Sequence, residues 1–299
     1  MYYYQVTLLR SSAPYLTYES HSVCSIGSVV TVPLKSTFKE AVILKEVEKP
    51  SFETTVIHII LDKMYTSKQL EIAQFMSEYY FSSLSEAISL FIPYRVGINP
   101  SVDLLDENHI PIPLIHQGQA QGIAPTLTPQ QQQAYEELLQ KKKALLFGVT
   151  GSGKTEIFIS LMAKMLEEGK TCIFLMPEIS LTPQMERRLQ VYFGESVAMW
   201  HSKLTKKKKE SILKGIEVGS VQIVAGARSA LFVPLTDLGL IIVDEEHDDS
   251  YKSMTRPRYH ARDVAVLMGS RLGAKVVLAS ATPSVTSYYK YDVVKLAQP

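Results

Sequence analysis

ALLFGVTGSGKT, residues 144–155, joins a short apolar run to the complete pattern G-x-x-x-x-G-K-[ST]. The pattern predicts a strand, a glycine-rich loop and the start of a helix. Glycines let backbone N–H groups turn toward an anion, and the helix N-terminus adds partial positive charge. We therefore expect this loop to hold nucleotide phosphates, with Lys154 on the β- and γ-phosphates and the Thr155 hydroxyl on Mg²⁺. The predicted loop residues are Gly148, Val149, Thr150, Gly151, Ser152, Gly153, Lys154 and Thr155.

A second apolar run, residues 238–243, ends abruptly in Asp244-Glu245-Glu246-His247. A phosphate loop needs a carboxylate for its metal at the end of a neighbouring strand, and Asp244 is predicted to fill that role. Glu245 is placed to act as the general base that polarises the attacking water. An acidic loop that caps the next helix would explain either acid alone, but it explains the pair beside a phosphate loop poorly.

Around these motifs, residues 126–299 alternate short apolar runs with amphipathic segments. The runs predict strands that are covered on both faces, and the segments between them predict helices. Predicted strands are 144–147, 171–176, 197–200, 221–225, 240–243 and 275–279, and predicted helices include 154–168, 182–193 and 205–217. The pattern indicates a doubly wound α/β domain with a mainly parallel sheet, whose ligands bind at the carboxyl ends of the strands.

The first ninety or so residues predict a small β-rich α+β module. Strand-like patterns cover 2–8, 28–33, 39–47 and 54–61, with a turn at 34–38. Two capping boxes, Thr66 with Gln69 and Ser83 with Glu86, predict two helix starts. A proline-rich connector without periodicity follows, so we expect domains at 1–93 and 126–299 joined by a linker at 94–125.

Composition excludes several classes of protein. The net charge is +1, so no global basic field indicates a nucleic-acid binder, although basic residues outnumber acidic ones only in the second part of the chain. Two isolated cysteines form neither a disulfide framework nor a zinc site. The first residues lack signal-peptide features, and no apolar run has the length of a membrane span. We expect a soluble, cytoplasmic protein without membrane partners.

The motifs together resemble those of a known family. Asp244-Glu245-Glu246-His247, the phosphate loop and Ser280-Ala281-Thr282-Pro283 resemble the first RecA-like lobe of superfamily 2 DEAH-type helicases. MPEISLTPQ (176–184), GARSALF (226–232) and RPRYHARDVAV (256–266) are similar to the replication-restart DNA helicases. The resemblance implies an ATP-dependent 3′→5′ DNA helicase in which His247 couples hydrolysis to movement. Its implied partners are forked and single-stranded DNA, single-strand-binding protein and other primosome components.

The amino-terminal module more faintly resembles that family's domain for the 3′ end of a nascent strand. The similarity rests on Tyr18 and on residues 27–33 and 41–44. It implies DNA contacts from Thr17 and Tyr18. Family members usually have Phe-Asp-Tyr where this chain has Leu16-Thr17-Tyr18, so the missing carboxylate leaves 3′-end recognition an open question.

The resemblance also implies parts that follow these motifs in the family. These are a second RecA-like lobe that supplies an arginine finger, and a cysteine-rich region that binds zinc. The sequence ends at Pro299, so we expect an amino-terminal portion that hydrolyses ATP poorly by itself. Zinc is expected only in the part that lies beyond.

Gln131 has two interpretations. Thr128-Pro129-Gln130-Gln131 resembles a Q-type motif, which implies that Gln131 contacts adenine. The same residues fit a capping box, with Thr128 as N-cap and Gln131 at the third helical position. We favour the adenine contact slightly.

Further DNA contacts are predicted after three strands. Segment 177–182, which begins at Pro177, directly follows a predicted strand, and the resemblance implies that it contacts single-stranded DNA. Arg228 and Ser229 follow another predicted strand in the corresponding way, and the resemblance implies the same role for them. Residues 248–262 interleave aromatic and cationic side chains, which suits stacking on unpaired bases. An Arg–carboxylate contact within the domain is the alternative for Arg228, and the start of the next helix is the alternative for Arg262. The predicted loop contacts are Tyr251, Lys252, Arg258, Tyr259 and Arg262.

Two other functions remain open. A P-loop ATPase of another class would carry a lid or signature motif in place of the 226–232 and 280–283 segments, and DNA would not stimulate it. A non-catalytic module that binds ATP and DNA would keep the phosphate loop without turnover. The presence of both Lys154 and Glu245 favours an enzyme.

Overall fold

The computed structural model describes residues 1–95 and 125–296. These fall into two compact units: one contains residues 1–95 with 254–259, and the other contains 125–253 with 260–296. Most of the predicted linker, 94–125, lies outside the described residues, so the proposed boundaries at 93 and 126 stay a prediction.

The first unit is built on one curled six-stranded sheet. Its edge order is β5-β2-β1-β4-β3-β6, and every neighbouring pair is antiparallel except the parallel pair of β2 and β5. Alternate residues of β1, Tyr4, Val6 and Leu8, are buried in the core, as the period-two pattern predicts. The strands are β1 (Tyr2–Leu8), β2 (Leu16–Ser20), β3 (Ser28–Leu34), β4 (Thr37–Val47), β5 (Thr55–Val56) and β6 (Ile59–Met64).

The predicted single strand at 54–61 is wrong, because the chain there forms two strands on opposite edges of the sheet. Between them, the Ile57 N–H donates to the Glu19 carbonyl of β2 at 2.8 Å. The next N–H, of His58, donates to the Thr31 carbonyl of β3 at 2.9 Å. As a result, β5 pairs with β2 at one edge of the sheet and β6 pairs with β3 at the other. Since two residues connect these edge strands, the sheet must be curled.

Two helices complete the first unit, α1 (Ser67–Tyr79) and α2 (Leu84–Ile88). Both begin at the predicted capping boxes, with reciprocal side-chain and backbone bonds between Thr66 and Gln69 and between Ser83 and Glu86. Gln69 also donates through Nε2 to the Ile92 carbonyl at 3.0 Å. The capping residues therefore fix the helix starts that the sequence predicts.

The second unit has a seven-stranded sheet in which every neighbouring pair is parallel. The order is β13-β7-β12-β11-β8-β10-β9. All residues of β8 are buried, as expected for a strand covered on both faces. The strands are β7 (Lys143–Phe147), β8 (Thr171–Leu175), β9 (Val197–Trp200), β10 (Ile223–Gly226), β11 (Leu238–Val243), β12 (Lys275–Ser280) and β13 (Asp292–Lys295).

Helices cover this sheet. The core helix α4 packs on β8, where the rings of Phe158 and Phe174 meet edge to face at 5.5 Å. Lys275 of β12 donates from Nζ to the Leu138 and Leu139 carbonyls at the end of α3, at 2.8 and 3.0 Å. The predicted RecA-like α/β architecture is therefore confirmed. The helices are α3 (Pro129–Gln140), α4 (Lys154–Glu167), α5 (Pro183–Phe193), α6 (Lys206–Glu217), α7 (Ala261–Leu272) and α8 (Val285–Lys290).

Within residues 1–95 and 125–296, no helix is both long enough and apolar enough to cross a bilayer.

Candidate nucleotide site

The phosphate loop, residues 148–155, leaves β7 and enters α4. Gly151 and Gly153 have φ angles of +82° and +84°, a region that side chains with a Cβ rarely occupy. A Cβ on Gly153 would also collide with the side-chain amide of Gln131. Glycine is therefore required here for both the backbone turn and the close approach of α3.

Lys154 is buried at the start of α4 and points back into the loop. Its Nζ donates to the carbonyl oxygens of Gly148 at 2.8 Å and Val149 at 3.3 Å. The same Nζ lies 3.9 Å from Oε1 of Glu245. The ammonium group thus stands between the loop and the acids that follow β11.

Asp244 and Glu245 lie side by side at the end of β11. The Asp244 N–H donates to the Leu175 carbonyl of β8 at 2.9 Å, which continues the sheet pairing, and Asp244 Oδ1 accepts from the Glu245 N–H at 3.0 Å. Burial, with the Glu245 carboxylate as second cause, raises the pKa of Asp244 to about 6. A carboxyl group that resists ionisation beside a second acid is suited to a cation, which would favour its charged form.

Glu245 has the backbone conformation of a constrained residue, with φ at +44°. Its Oε2 lies 3.6 Å from Nδ1 of His247. The His247 ring in turn bridges to β12 and the segment after it, with Nδ1 2.7 Å from Ser280 Oγ and Nε2 3.2 Å from Thr282 Oγ1. The 280–283 motif is therefore joined to the predicted base through one imidazole.

Lys154, Asp244 and Glu245 line one cavity of about 950 Å³. Its hydroxyl, ammonium, carboxylate and glycine-loop groups form the donor set that a magnesium–nucleotide complex requires. The residues present therefore fit such a ligand. The cavity is lined by residues 128–131 and 150–156, Arg188, Asp244, Glu245 and Leu296.

Sequence reasoning missed Glu156 and Arg188, which form an ion pair on the cavity wall. Glu156 directly follows the phosphate loop and could have been noticed by that position. Arg188 lies in the middle of α5, and no local motif marks it.

Gln131 completes the capping box of α3, and its side chain also lines the cavity. Its Oε1 accepts from the Thr128 N–H at 2.8 Å, and the Thr128 hydroxyl caps the Gln131 N–H at 3.3 Å, so the capping box is formed. Its Nε2 points to the Ser152 carbonyl at 3.5 Å, and the side chain lines the cavity. The adenine contact stays a prediction.

The DNA residues predicted outside the amino-terminal module differ in accessibility. Lys252 and Arg258 are exposed, and Ser229 is half-buried. Arg228 donates from Nη1 to the Lys252 carbonyl, which joins the 226–232 segment to the loop after the acids. Pro177 is buried at the end of β8, so a direct contact from its ring is not supported by this structure.

Three tyrosines predicted to contact DNA belong to the protein interior. Tyr251 is fully buried, and its hydroxyl donates to the Asp244 carbonyl at 2.5 Å. Tyr259 is also buried, and Tyr18 lies in the core of the first unit with its hydroxyl on the Pro33 carbonyl at 2.9 Å. These rings are therefore not part of an exposed stacking surface, and Tyr251 instead joins its loop to Asp244, the predicted metal ligand.

Arg262 begins α7, as the alternative interpretation holds. Its Nη1 donates to Oε2 of Glu246 at 2.8 Å, and its Nε donates to Oδ1 of Asp263 at 2.9 Å. Although burial lowers its pKa, the bonds to Asp263 and Glu246 raise the pKa of Arg262 above its ordinary value. The guanidinium is thus engaged by carboxylates, and the prediction of a direct DNA contact is corrected accordingly.

Thr17 lies on β2, opposite Gln5 of β1. Because side chains alternate along a strand, Thr17 and Glu19 share the face away from buried Tyr18. Thr17 is half-buried, and a carboxylate, Glu19, lies two positions along on the same face. Its role in 3′-end recognition stays a prediction.

A glycine-rich loop between β7 and α4, opposite acids at the end of a parallel strand, defines a RecA-like P-loop domain. Residues 128–290 match the family model described as DEAD/DEAH box helicase. The chain therefore belongs to the DEAD/DEAH box helicase family. Residues 5–93 match the model described as 3'DNA-binding domain (3'BD).

Two relatives support the resemblance drawn from the motifs. Replication restart protein PriA of Helicobacter pylori (strain ATCC 700392 / 26695) is 40% identical over 294 residues, which are 97% of this chain and 44% of that protein. The protein of the same name from Bacillus subtilis (strain 168) is 47% identical over 168 residues, 54% of this chain and 21% of that one. The chain thus spans less than half the length of these relatives. The predicted similarity to replication-restart helicases is confirmed.

Among solved structures, RecG bound to a three-way DNA junction is similar to this chain, with 24% identity and a TM-score of 0.43. The match covers 59% of this chain and 25% of that one.

Proposed function

We propose that this chain provides the ATP-binding and DNA-end-binding parts of an ATP-dependent 3′→5′ DNA helicase that restarts replication. The observation that carries the proposal is the convergence of Lys154, Asp244 and Glu245 on one cavity of about 950 Å³. Membership of the DEAD/DEAH box helicase family and the similarity to replication restart proteins support it.

Each cavity residue has a role that its position supports. Lys154 would neutralise the terminal phosphates, and its present bonds to Gly148 and Val149 carbonyls hold the ammonium in the loop. Thr155 and Asp244 would hold Mg²⁺, which supplies positive charge against the phosphate oxygens when bound. Glu245 would accept the proton of the attacking water, because it is a half-buried carboxylate beside the loop.

The DNA parts of the proposal rest on different residues. In the first unit, the match to a 3'DNA-binding domain supports binding of a 3′ end, with Thr17, half-buried on β2, as the candidate contact. In the second unit, exposed Lys252 and half-buried Arg228 and Ser229 would contact single-strand phosphates, and exposed Arg258 of the 254–259 segment would do the same. The sequence resemblance further suggests action in the cytoplasm on forked DNA, with single-strand-binding protein and primosome components.

Nucleotide binding is tested by calorimetric titration of the protein with a nonhydrolysable ATP analogue and Mg²⁺. We expect Lys154→Ala to weaken binding at least tenfold, since it removes the cation that contacts the phosphates. Lys142→Ala, an exposed lysine in the same unit, is the matched control and should bind as the wild type does. Equal affinity for wild type and Lys154→Ala would contradict the proposed site.

DNA-end binding is tested with oligonucleotides that end in a 3′-hydroxyl or a 3′-phosphate. We expect the hydroxyl end to bind more tightly, and Thr17→Ala to reduce the difference. Thr286→Ala, an exposed threonine in α8, should leave the difference unchanged. Identical affinities for both ends in the wild type would argue against 3′-end recognition.

A further inference from the structure

Glu246 differs from the two acids that precede it. Asp244 and Glu245 line the cavity, whereas the Glu246 side chain is 0% exposed. Its Oε1 accepts from the Ser284 N–H at 2.7 Å, and its Oε2 accepts from Ser287 Oγ at 2.8 Å. A buried carboxylate is tolerated only with such complete pairing.

The partners of Glu246 come from two separate parts of the chain. Arg262, whose Nη1 lies 2.8 Å from Oε2, stands in the first turn of α7, where the segment after the acids returns to the domain. Ser284 is the N-cap of α8, directly after the 280–283 motif. One carboxylate therefore joins the end of β11 to the start of α7 and the start of α8.

The backbone beside Glu246 is held as firmly as the side chain. The Glu246 N–H donates to the Ala279 carbonyl of β12 at 2.9 Å. The preceding residue, Glu245, has φ at +44°, a conformation that a non-glycine residue keeps only where surrounding contacts impose it. The bonds of Glu246 are such contacts, because they fix the peptide that follows Glu245.

The segment that returns at Arg262 also touches the acids at its beginning. Tyr251 donates to the Asp244 carbonyl, and Lys252 pairs with His260 across an antiparallel bridge that closes the base of the segment. A displacement of this segment would therefore be felt at Arg262 and, through it, at Glu246.

We propose that Glu246 is a positioning residue that, together with Arg262, holds Glu245 toward Lys154 and passes movement of residues 248–260 to it. The inference rests on the proposed function, since it concerns the acid proposed as base. Glu246 contacts neither the cavity nor, in this scheme, DNA. It sets how strongly bound DNA changes turnover and leaves nucleotide affinity unaffected.

The test measures ATP turnover of the full-length gene product with and without single-stranded DNA. Glu246→Gln keeps the shape of the side chain but removes the charge that pairs with Arg262. We expect the ratio of stimulated to unstimulated turnover to fall at least tenfold, with the KM for ATP unchanged. Glu195→Gln, an exposed glutamate in the same unit, is the matched control and should keep the wild-type ratio.

Two further variants separate positioning from folding. Glu246→Gln with Arg262→Gln removes both buried charges, and the carboxylate that loses its partner, Asp263, is partly exposed to water. Ser287→Ala removes one hydroxyl donor only. If Glu246 acts through Arg262, the double variant should lower the stimulation ratio no further than Glu246→Gln alone. Ser287→Ala should lower the ratio by a smaller factor. Thermal unfolding of each variant shows whether it is folded at the assay temperature.

A parallel loss of stimulated and unstimulated turnover would show a merely structural role and overturn the inference. An unchanged stimulation ratio in the folded double variant would overturn it as well. Failure of the inference alone leaves the effect of Lys154→Ala on nucleotide affinity intact. Equal nucleotide affinity in wild type and Lys154→Ala would instead reject the proposed function, and the inference with it.

Discussion

Lys154 and Glu245 face each other with 3.9 Å between Nζ and Oε1, although one begins a helix and the other ends a strand. The lysine is buried and keeps two carbonyl contacts, whereas the glutamate reaches it from a left-handed backbone. Both residues line the candidate site. They can be tested separately, because Lys154 is predicted to bind the nucleotide phosphates and Glu245 to act as the general base.

Removing the proposed base should stop chemistry without stopping binding. Glu245→Gln keeps a side chain of the same size beside Lys154 but cannot accept a proton. We expect ATP turnover by the full-length gene product to fall roughly 10²-fold or more, the usual contribution of a general base. Calorimetry should show nucleotide affinity close to that of the wild type. Glu210→Gln, exposed on α6, is the control, and retained turnover in Glu245→Gln would require a different base.

The two interpretations of Gln131 predict different outcomes for neighbouring substitutions. Thr128→Ala removes the N-cap of α3 and should lower the free energy of unfolding by about 1 kcal/mol without changing nucleotide affinity. Gln131→Ala should in addition weaken nucleotide binding about fivefold, the effect of one lost hydrogen bond of about 1 kcal/mol. Chemical denaturation and calorimetry measure the two quantities. Equal nucleotide affinity in both variants would leave Gln131 as a capping residue only.

Tyr251 provides a test of burial against base stacking. Tyr251→Phe keeps the ring and removes the hydroxyl that donates to the Asp244 carbonyl. We expect a loss of about 1–3 kcal/mol in the free energy of unfolding, because a buried acceptor loses its partner. Affinity for single-stranded DNA should not change in a fluorescence titration. Tyr289→Phe, on an 85% exposed side chain, should alter neither measurement, and weaker DNA binding by Tyr251→Phe alone would favour a direct contact.

Phe81 combines a left-handed backbone with an almost fully exposed ring. Its φ is +50° and its side chain is 94% exposed, so a substitution loses little packing. Phe81→Gly should raise the free energy of unfolding by about 1 kcal/mol, because glycine adopts this conformation without steric cost. Phe81→Ala keeps the Cβ and should show a much smaller gain in chemical denaturation. A gain of equal size in both variants would mean that ring exposure, and not backbone strain, is the cause.

Local signals in the sequence predicted much of the fold. The three capping boxes begin α1, α2 and α3 as expected, because a side chain three residues away completes each of them. Parallel strands such as β9, predicted and observed at 197–200, follow from continuous apolar runs. The phosphate loop and the acids lie close together because β7 and β11 are parallel, so their carboxyl ends are at the same end of the sheet.

What the sequence did not reveal depends on contacts between distant segments. The short strands β2 and β13 carry polar residues and gain their stability from pairing, so no apolar run marks them. The sequence alone does not distinguish a tyrosine that stacks on a base from one that packs in a core. Tyr251 was therefore predicted to contact DNA, although the structure buries it. Arg188 reaches the cavity only through the packing of α5.

The three carbonyl contacts of Lys275 at the end of α3 have a consequence for how the site responds to a ligand. The helix that carries Gln131 is anchored at its far end to β12, so it forms a stiff wall. At its other end, the same helix contacts the glycine loop, because Gln131 Nε2 points to the Ser152 carbonyl at 3.5 Å. A ligand that displaces the loop at Ser152 would therefore push against a helix that β12 holds at its far end.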